Sequence, residues 1–183
     1  LDLHAVGAAG GAAGIGGAIG IGITNSTTEA FIGTSSTVDA DGDVTVSAEA
    51  GNVNATGSKV LSAAGAGGVV GVSAAVAVLD DTSTTKAYLG NSVDVQDAAK
   101  LKVSAKAKRK SVTETLGGAA GGLAIGASVA RSTFTGTVAA DFGTNVVARV
   151  DPVQATAADK STAAAKATAG AVGKLTGREP AML

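Results

Sequence analysis

The chain contains no cysteine and no tryptophan, and only one histidine, one tyrosine and three phenylalanines in 183 residues. Without cysteine there is no disulfide framework and no thiolate metal site. His4 stands alone, so a histidine-based catalytic dyad is hard to build. Aromatics at 2% cannot fill a conventional core, and most of the 45% hydrophobic content is Ala and Val, with 27 glycines beside them. The expected interior is therefore thin and built from small side chains. Fourteen basic against fifteen acidic residues leave a net charge of −1, which exerts no global pull toward nucleic acid or an anionic membrane. No stretch reads as a cleavable signal segment. The first residue is Leu1 rather than Met, so the chain reads as an excised piece of a longer one.

Long apolar helices are missing too. Residues Ala5–Thr28 carry no charge and include the small pairs Gly7/Gly11 and Gly16/Gly20, the pattern of packed membrane helices. Eight of the twenty residues from Ala5 to Thr24 are glycine, however, which is poor for helix formation and for transfer into lipid. No transmembrane segment is expected.

What the chain has is repetition. Gly11–Ala50 lies over Gly68–Ala107 at a shift of 57 without a gap, identical at 14 of 40 positions. A looser third copy runs from Gly121 to about Asp159 at a shift of 53, and a fourth is suggested at Thr168-Ala169-Gly170. Such periods mark repeat architectures. The copies divide the chain into a repeat region over 1–160 (about 5–57, 58–114 and 115–160) and a segment over 161–183 that begins a further repeat or frays.

Within each copy the polarity alternates with period two, which means strand. In Ala13–Ile23 the large residues Ile15, Ile19, Ile21 and Ile23 alternate with Gly14, Gly16, Ala18, Gly20 and Gly22. Val72, Val76 and Val78 repeat this, as do Leu123, Ile125 and Val129. The β-branched side is expected to be the core face. The opposite side, including Gly16, Gly20, Ala75, Ala77, Gly126 and Ala130, is expected to pack closely on another layer of backbone. Short strands follow at Glu29–Ile32 and Lys86–Leu89, then amphipathic ones at Val44–Glu49 and from Leu101 onward. Fifty-seven is three times nineteen, so each repeat is expected to form three coils of a right-handed parallel β-solenoid, a rod of roughly 45–50 Å. An antiparallel β-repeat is the alternative, disfavoured by the lack of Asn-Gly and Asp-Gly turns. Ala157–Ala169 also has the composition of a short helix, and Arg178–Leu183 that of a frayed end.

Candidate sites are few. Asp39, Asp41 and Asp43 alternate like the start of a calcium loop. No bidentate Glu closes it, and the second copy has Gln96, Ala98 and Lys100 there. A solvated turn is expected, with no cofactor and calcium as the remote possibility. Lys100, Lys102, Lys106, Lys108 and Lys110, with Arg109, form the densest charge; a solvated strand face is expected, with docking of polysaccharide, anionic lipid or nucleic acid as the functional alternative. No aromatic interleaves it, which argues against a nucleic-acid partner. Asp43, Glu29 and Glu49 of the first copy occupy the places of Lys100, Lys86 and Lys106, so one outer face changes sign along the chain. The glycines do not form a phosphate-binding GxGxxG. Asn25-Ser26-Thr27 and Asn54-Ala55-Thr56 fit a glycosylation sequon. An ice-binding face on Thr27-Thr28 and Thr84-Thr85 is remote, because these threonines are expected in turns.

Ser36–Ala50, STVDADGDVTVSAEA, resembles the GDVTVSA coils of filamentous-haemagglutinin-type exoproteins. The whole unit is similar to repeats of giant bacterial leukotoxin-type filamentous adhesins: a Gly/Ala/Val strand, an Asn/Asp-Ser/Thr-Thr turn, A-[FY]-[IL]-G, then GDVTVSA. It covers roughly residues 5–160. The resemblance implies a secreted or surface-displayed shaft or adhesive segment with no catalysis, whose partners are flanking repeats, other copies, or host and matrix glycans or proteins. A self-assembling fibre subunit is the alternative. A polysaccharide-acting β-helix enzyme is more remote, because it needs sugar-stacking aromatics.

Overall fold

The computed structural model describes residues 1–51 and 57–173, and these contain strands and no helix. The first repeat comprises β1 (Asp2–Ala9), β2 (Ala13–Thr24), β3 (Thr27–Ile32), β4 (Thr37–Asp39) and β5 (Asp43–Ala50). The second comprises β6 (Ser58–Asp81), β7 (Thr84–Leu89), β8 (Asp94–Gln96) and β9 (Lys100–Ala107). The third has β10 (Lys110–Phe134), β11 (Thr137–Phe142), β12 (Val147–Ala148) and β13 (Val153–Asp159), and β14 (Thr162–Gly173) follows. β6 and β10 are each the counterpart of β1 and β2 run together.

Every pairing among these strands is parallel, which removes the antiparallel alternative. The register also corrects the expectation of nineteen-residue coils. Val46 pairs with Val103, fifty-seven residues on, and Val103 with Ala155, fifty-two on. One repeat therefore contributes one layer to each sheet. At ~4.8 Å per layer the rise is about a third of that expected. The fall from 57 to 53 has a single origin. Ala50 pairs with Ala107 and Ser58 with Ser111, so seven residues make a connection that three make one repeat later. A further residue is lost between Ala148 and Val153, and the fourth copy consequently registers Thr168 on Leu116 rather than on Thr115. Ala157–Ala169 is not helix but the end of β13 and the start of β14 with a break at Lys160-Ser161, because pairing with β9 and β10 outweighs the helix propensity of alanine.

Three of the sheets, β11-β7-β3, β12-β8-β4 and β13-β9-β5, enclose the main core. Its fully buried centre is Leu89, Val93, Val95, Leu101 and Val103, flanked by Val44, Val46, Ala87 and Ala105. Each large aliphatic residue there contributes about 1.5–3 kcal/mol by leaving water. The corner after β3, β7 and β11 recurs with one geometry. Ser35, Ser92 and Asn145 all take left-handed φ, at 58°, 56° and 56°. The corners are tied layer to layer by Ser35 N–H to Asn91 O and Ser92 N–H to Thr144 O, both 2.8 Å. The Thr144 N–H also donates to Asn91 Oδ1 at 2.9 Å.

The Gly/Ala-rich strands form something different, a thin two-layer extension of the fourth sheet. β1 runs out, the chain bends at Gly10–Ala12, and β2 runs back over it; β6 and β10 do the same within one strand. Gly11 and Gly68 sit at the bend with φ of +134° and +145°, a region open to glycine but costly for other residues. The two layers meet backbone to backbone. A Cβ on Gly7 would overlap the Gly17 carbonyl oxygen, one on Gly14 that of Gly67, and one on Gly16 that of Gly65.

In the second repeat the inward residues grow in size away from the bend, from Gly71 to Leu79, whereas the first repeat has Gly20 and Gly22 at its last two inward positions. Gly14, Gly71 and Ala124 come first, then Gly16, Ser73 and Gly126, then Ala18, Ala75 and Ser128. At the base stand Leu79 and, from the opposing layer, Val60, both fully buried. The extension is a wedge filled at its base by Leu79 and Val60, whose side chains also crowd the space over Gly22. Ser62 and Ser73 are fully buried without a hydrogen-bond partner, so volume rather than polarity selects them.

This arrangement overturns the expected core face. Ile15, Ile19, Ile21 and Ile23 are 78%, 68%, 59% and 73% exposed, and Leu123, Ile125 and Val129 are more than half exposed. Two backbones this close leave no room for branched side chains between them, so the large residues face outward.

Candidate interaction surfaces

The lysine stripe lies on β9 and the connection after it. Lys100, Lys102 and Lys106 occupy the outer side of the β5-β9-β13 sheet. The register sets Asp43 against Lys100 and Glu49 against Lys106, with Lys100 Nζ 2.5 Å from Asp43 Oδ2. Glu29 is set against Lys86 in the same way, and Lys59 Nζ lies 3.4 Å from Glu114. The change of sign seen along the sequence thus places opposite charges on neighbouring strands. Such exposed pairs contribute ~0–1 kcal/mol each, yet like charges at these positions would oppose the register. Lys102 faces Thr45 and Gln154 and has no acidic neighbour in register. Lys108 and Lys110 are exposed.

Arg109 leaves the stripe altogether. Its side chain is 9% exposed and points inward where the wedge joins the main core. Nη1 donates to the Ser83 carbonyl at 2.8 Å and lies 3.4 Å from Asp81 Oδ1. Asp81, 7% exposed, also accepts the Ser83 N–H at 2.9 Å. Nη2 lies 3.7 Å from Asp159, and the guanidinium sits 5.8 Å from the Phe134 ring centroid. Nothing in the linear stripe distinguishes this residue from its lysine neighbours. The signal available was chemical, because a planar guanidinium suits buried pairing better than an ammonium.

Asp39 ends β4, Asp41 lies in the following turn, and Asp43 opens β5 beside Lys100. No cluster of three or more acidic or imidazole groups suited to a metal occurs among the described residues. Asn25 is exposed between β2 and β3, while the second sequon, Asn54-Ala55-Thr56, lies outside the described residues. Thr27 and Thr84 open β3 and β7 rather than lying in turns, and they pair in register with Thr137.

Of the small residues, Gly16, Gly20, Ala75 and Ala77 are buried between the two layers of the wedge, and Gly126 and Ala130 are half-buried. A Cβ on Gly20 would come 2.9 Å from Val60 Cγ1, and one on Gly126 2.5 Å from the Gly170 oxygen. This face closes the wedge within the chain.

Two outward features did not emerge as sites from the sequence. Phe31 and Tyr88 stack with centroids 5.3 Å apart and planes 11° apart, and Asp141 holds the third place in their column. The other is the exposed aliphatic face of β2, β6 and β10. Charge pairs and an aromatic column along a regular stack equip the chain to hold neighbouring layers in register and to present flat surfaces. No helix among the described residues is long and apolar enough to cross a membrane. No protein-family model matches the chain, and no curated protein or solved structure is detectably similar to it.

Proposed function

We propose that the chain is a non-catalytic shaft or adhesive segment of a large secreted or surface-displayed bacterial protein of the filamentous-adhesin type. In this reading it is a right-handed parallel β-solenoid with one coil per repeat. The handedness follows from the strong preference of parallel crossovers. The observation that supports the reading is the register itself, because every strand of one repeat pairs with the corresponding strand of the next. Such a stack lengthens by adding repeats and leaves unpaired strand edges at its first and last layers. Flanking repeats of the same chain are the partners that these edges fit. The outer faces, with the Phe31–Tyr88 column and the lysines of β9, are the surfaces on which host or matrix glycans or proteins would be held.

The test is to insert one more copy of residues 58–110 in tandem and measure the particle by small-angle scattering. One added repeat should lengthen it by ~4.8 Å. Growth of ~14 Å, or none, would count against the reading. Antibody labelling of intact source cells tests the location, and signal only after lysis would contradict it. The same open edges favour a second reading, a free subunit that polymerises end to end; sedimentation would then show open-ended growth with concentration.

A further inference from the structure

The largest unexplained feature is the outer aliphatic face of the wedge, which the shaft reading does not use. The register arranges it in columns. Ala13, Val70 and Leu123 form one, and Ile15, Val72 and Ile125 the next. Gly17, Ala74 and Ala127 then form a shallow furrow, and Ile19, Val76 and Val129 the ridge beyond it. Ile21 and Val78 follow, and charge appears only at this far margin, as Arg131 and Asp80. The wedge's other outer face is different. It carries His4, Lys59, Glu114 and Lys166, and its exposed aliphatic residues, Val6, Leu116 and Val172, stand apart among small or polar ones.

Ile15, Ile19, Ile21, Ile23, Val70, Leu123, Ile125 and Val129 are 38–78% exposed. With about 170–200 Å² for each free side chain, they present roughly 800 Å² of apolar surface, above the ~300–600 Å² patch usual on a monomer. It also matches the ~800 Å² that each partner contributes to a stable interface. We propose that a second copy of this chain docks here, the two wedges packing face to face about a two-fold axis parallel to the stacking direction.

The relief supports a second copy over other occupants. Under that symmetry the strands of the two copies run in opposite directions and each layer faces its own counterpart. Placing the axis between the Gly17 and Ile19 columns seats each Ile19 ridge over the partner's Gly17 furrow. The same operation sets the Ile15 column against the Ile21 column. One patch then serves both sides, as an isologous interface requires. This association is lateral, at right angles to end-to-end stacking, and does not depend on the adhesin reading.

The test combines oligomeric state with position. Sedimentation equilibrium at ~50 µM should give twice the chain mass. Ile19→Lys with Val76→Lys should raise the dissociation constant by ~100-fold or more, because two-fold symmetry counts each buried unpaired charge twice. Ala63→Lys, on the other outer face, should leave it unchanged, and circular dichroism melts should show all three proteins folded. Because the chain lacks cysteine, a Gly17→Cys chain mixed with an Ile19→Cys chain should form the mixed disulfide under mild oxidation. A monomer at this concentration would overturn the proposal, as would a dimer indifferent to the lysines. So would a monomer that floats with phosphatidylcholine vesicles, which would assign the face to lipid.

Discussion

Gly14 and Gly17 lie three residues apart on the same strand, and substituting alanine at each should have opposite effects. Gly14 points into the wedge near its bend, where a Cβ would overlap the Gly67 carbonyl oxygen and stand 3.0 Å from the Ala9 oxygen and 3.1 Å from the Gly67 nitrogen. All three contacts are backbone, so no side chain can swing away. Glycine also holds the equivalent place in the second repeat, Gly71, while the third repeat has the half-buried Ala124 there. Overpacking of this kind costs about 1–3 kcal/mol. Gly17 points outward, its nearest neighbour to a new Cβ is 4.0 Å away, and alanine already stands at its equivalents, Ala74 and Ala127. Alanine there restricts the unfolded chain and should stabilise by ~0.4–1 kcal/mol. The two variants should therefore differ by ~1.5–4 kcal/mol, or roughly 3–15 °C in melting temperature for a chain of this length. Urea unfolding followed by circular dichroism, at concentrations low enough to keep the chain monomeric, reads the difference. Equal midpoints, or a more stable Gly14→Ala, would refute the inward placement of the small face.

Two further substitutions test the charges. Asp43→Lys would set like charges against Lys100 and should destabilise by up to ~1 kcal/mol at low salt; adding Lys100→Asp should restore the midpoint, and a double variant no better than the single would show that the pairing is incidental. Arg109→Ala should cost ~3–5 kcal/mol by leaving Asp81 buried without its counter-charge. Arg109→Met with Asp81→Asn should recover most of this in urea unfolding, since Asn keeps an acceptor for the Ser83 N–H. A mild effect of Arg109→Ala would mean that the guanidinium is solvated.

The sequence disclosed the strands and their order, because period-two alternation and a repeat of 57 residues are both local patterns. It also disclosed which residues belong together in columns, since Phe31 with Tyr88 and Val46 with Val103 follow from the ungapped alignment. It did not disclose how many layers a repeat makes, because arithmetic on 57 cannot separate three coils from one. Nor did it disclose which face of Ala13–Ile23 lies inside. Hydrophobicity favours the isoleucines, but the separation of the two layers decides, and that separation arises from the bend at Gly11 and Gly68. The one available hint was the size gradient from Gly71 to Leu79 in the second repeat, which fits a tapering gap. Arg109 was illegible for a related reason: its burial depends on the junction between wedge and main core, which no single strand contains.

The claim on which the rest depends is that one repeat makes one layer. Thr45 and Lys102 pair directly across β5 and β9 under this register, and each points outward. Neighbouring strands hold such residues ~5 Å apart, within the Cα range of about 4.4–6.8 Å that a disulfide needs. Three coils per repeat would separate them by ~14 Å. The decisive measurement is thiol titration with intact mass after mild oxidation of the Thr45→Cys/Lys102→Cys chain, which has no other cysteine. One layer per repeat predicts an intramolecular disulfide in the folded protein with no loss of stability. Two free thiols that persist in the oxidised, folded protein would contradict it.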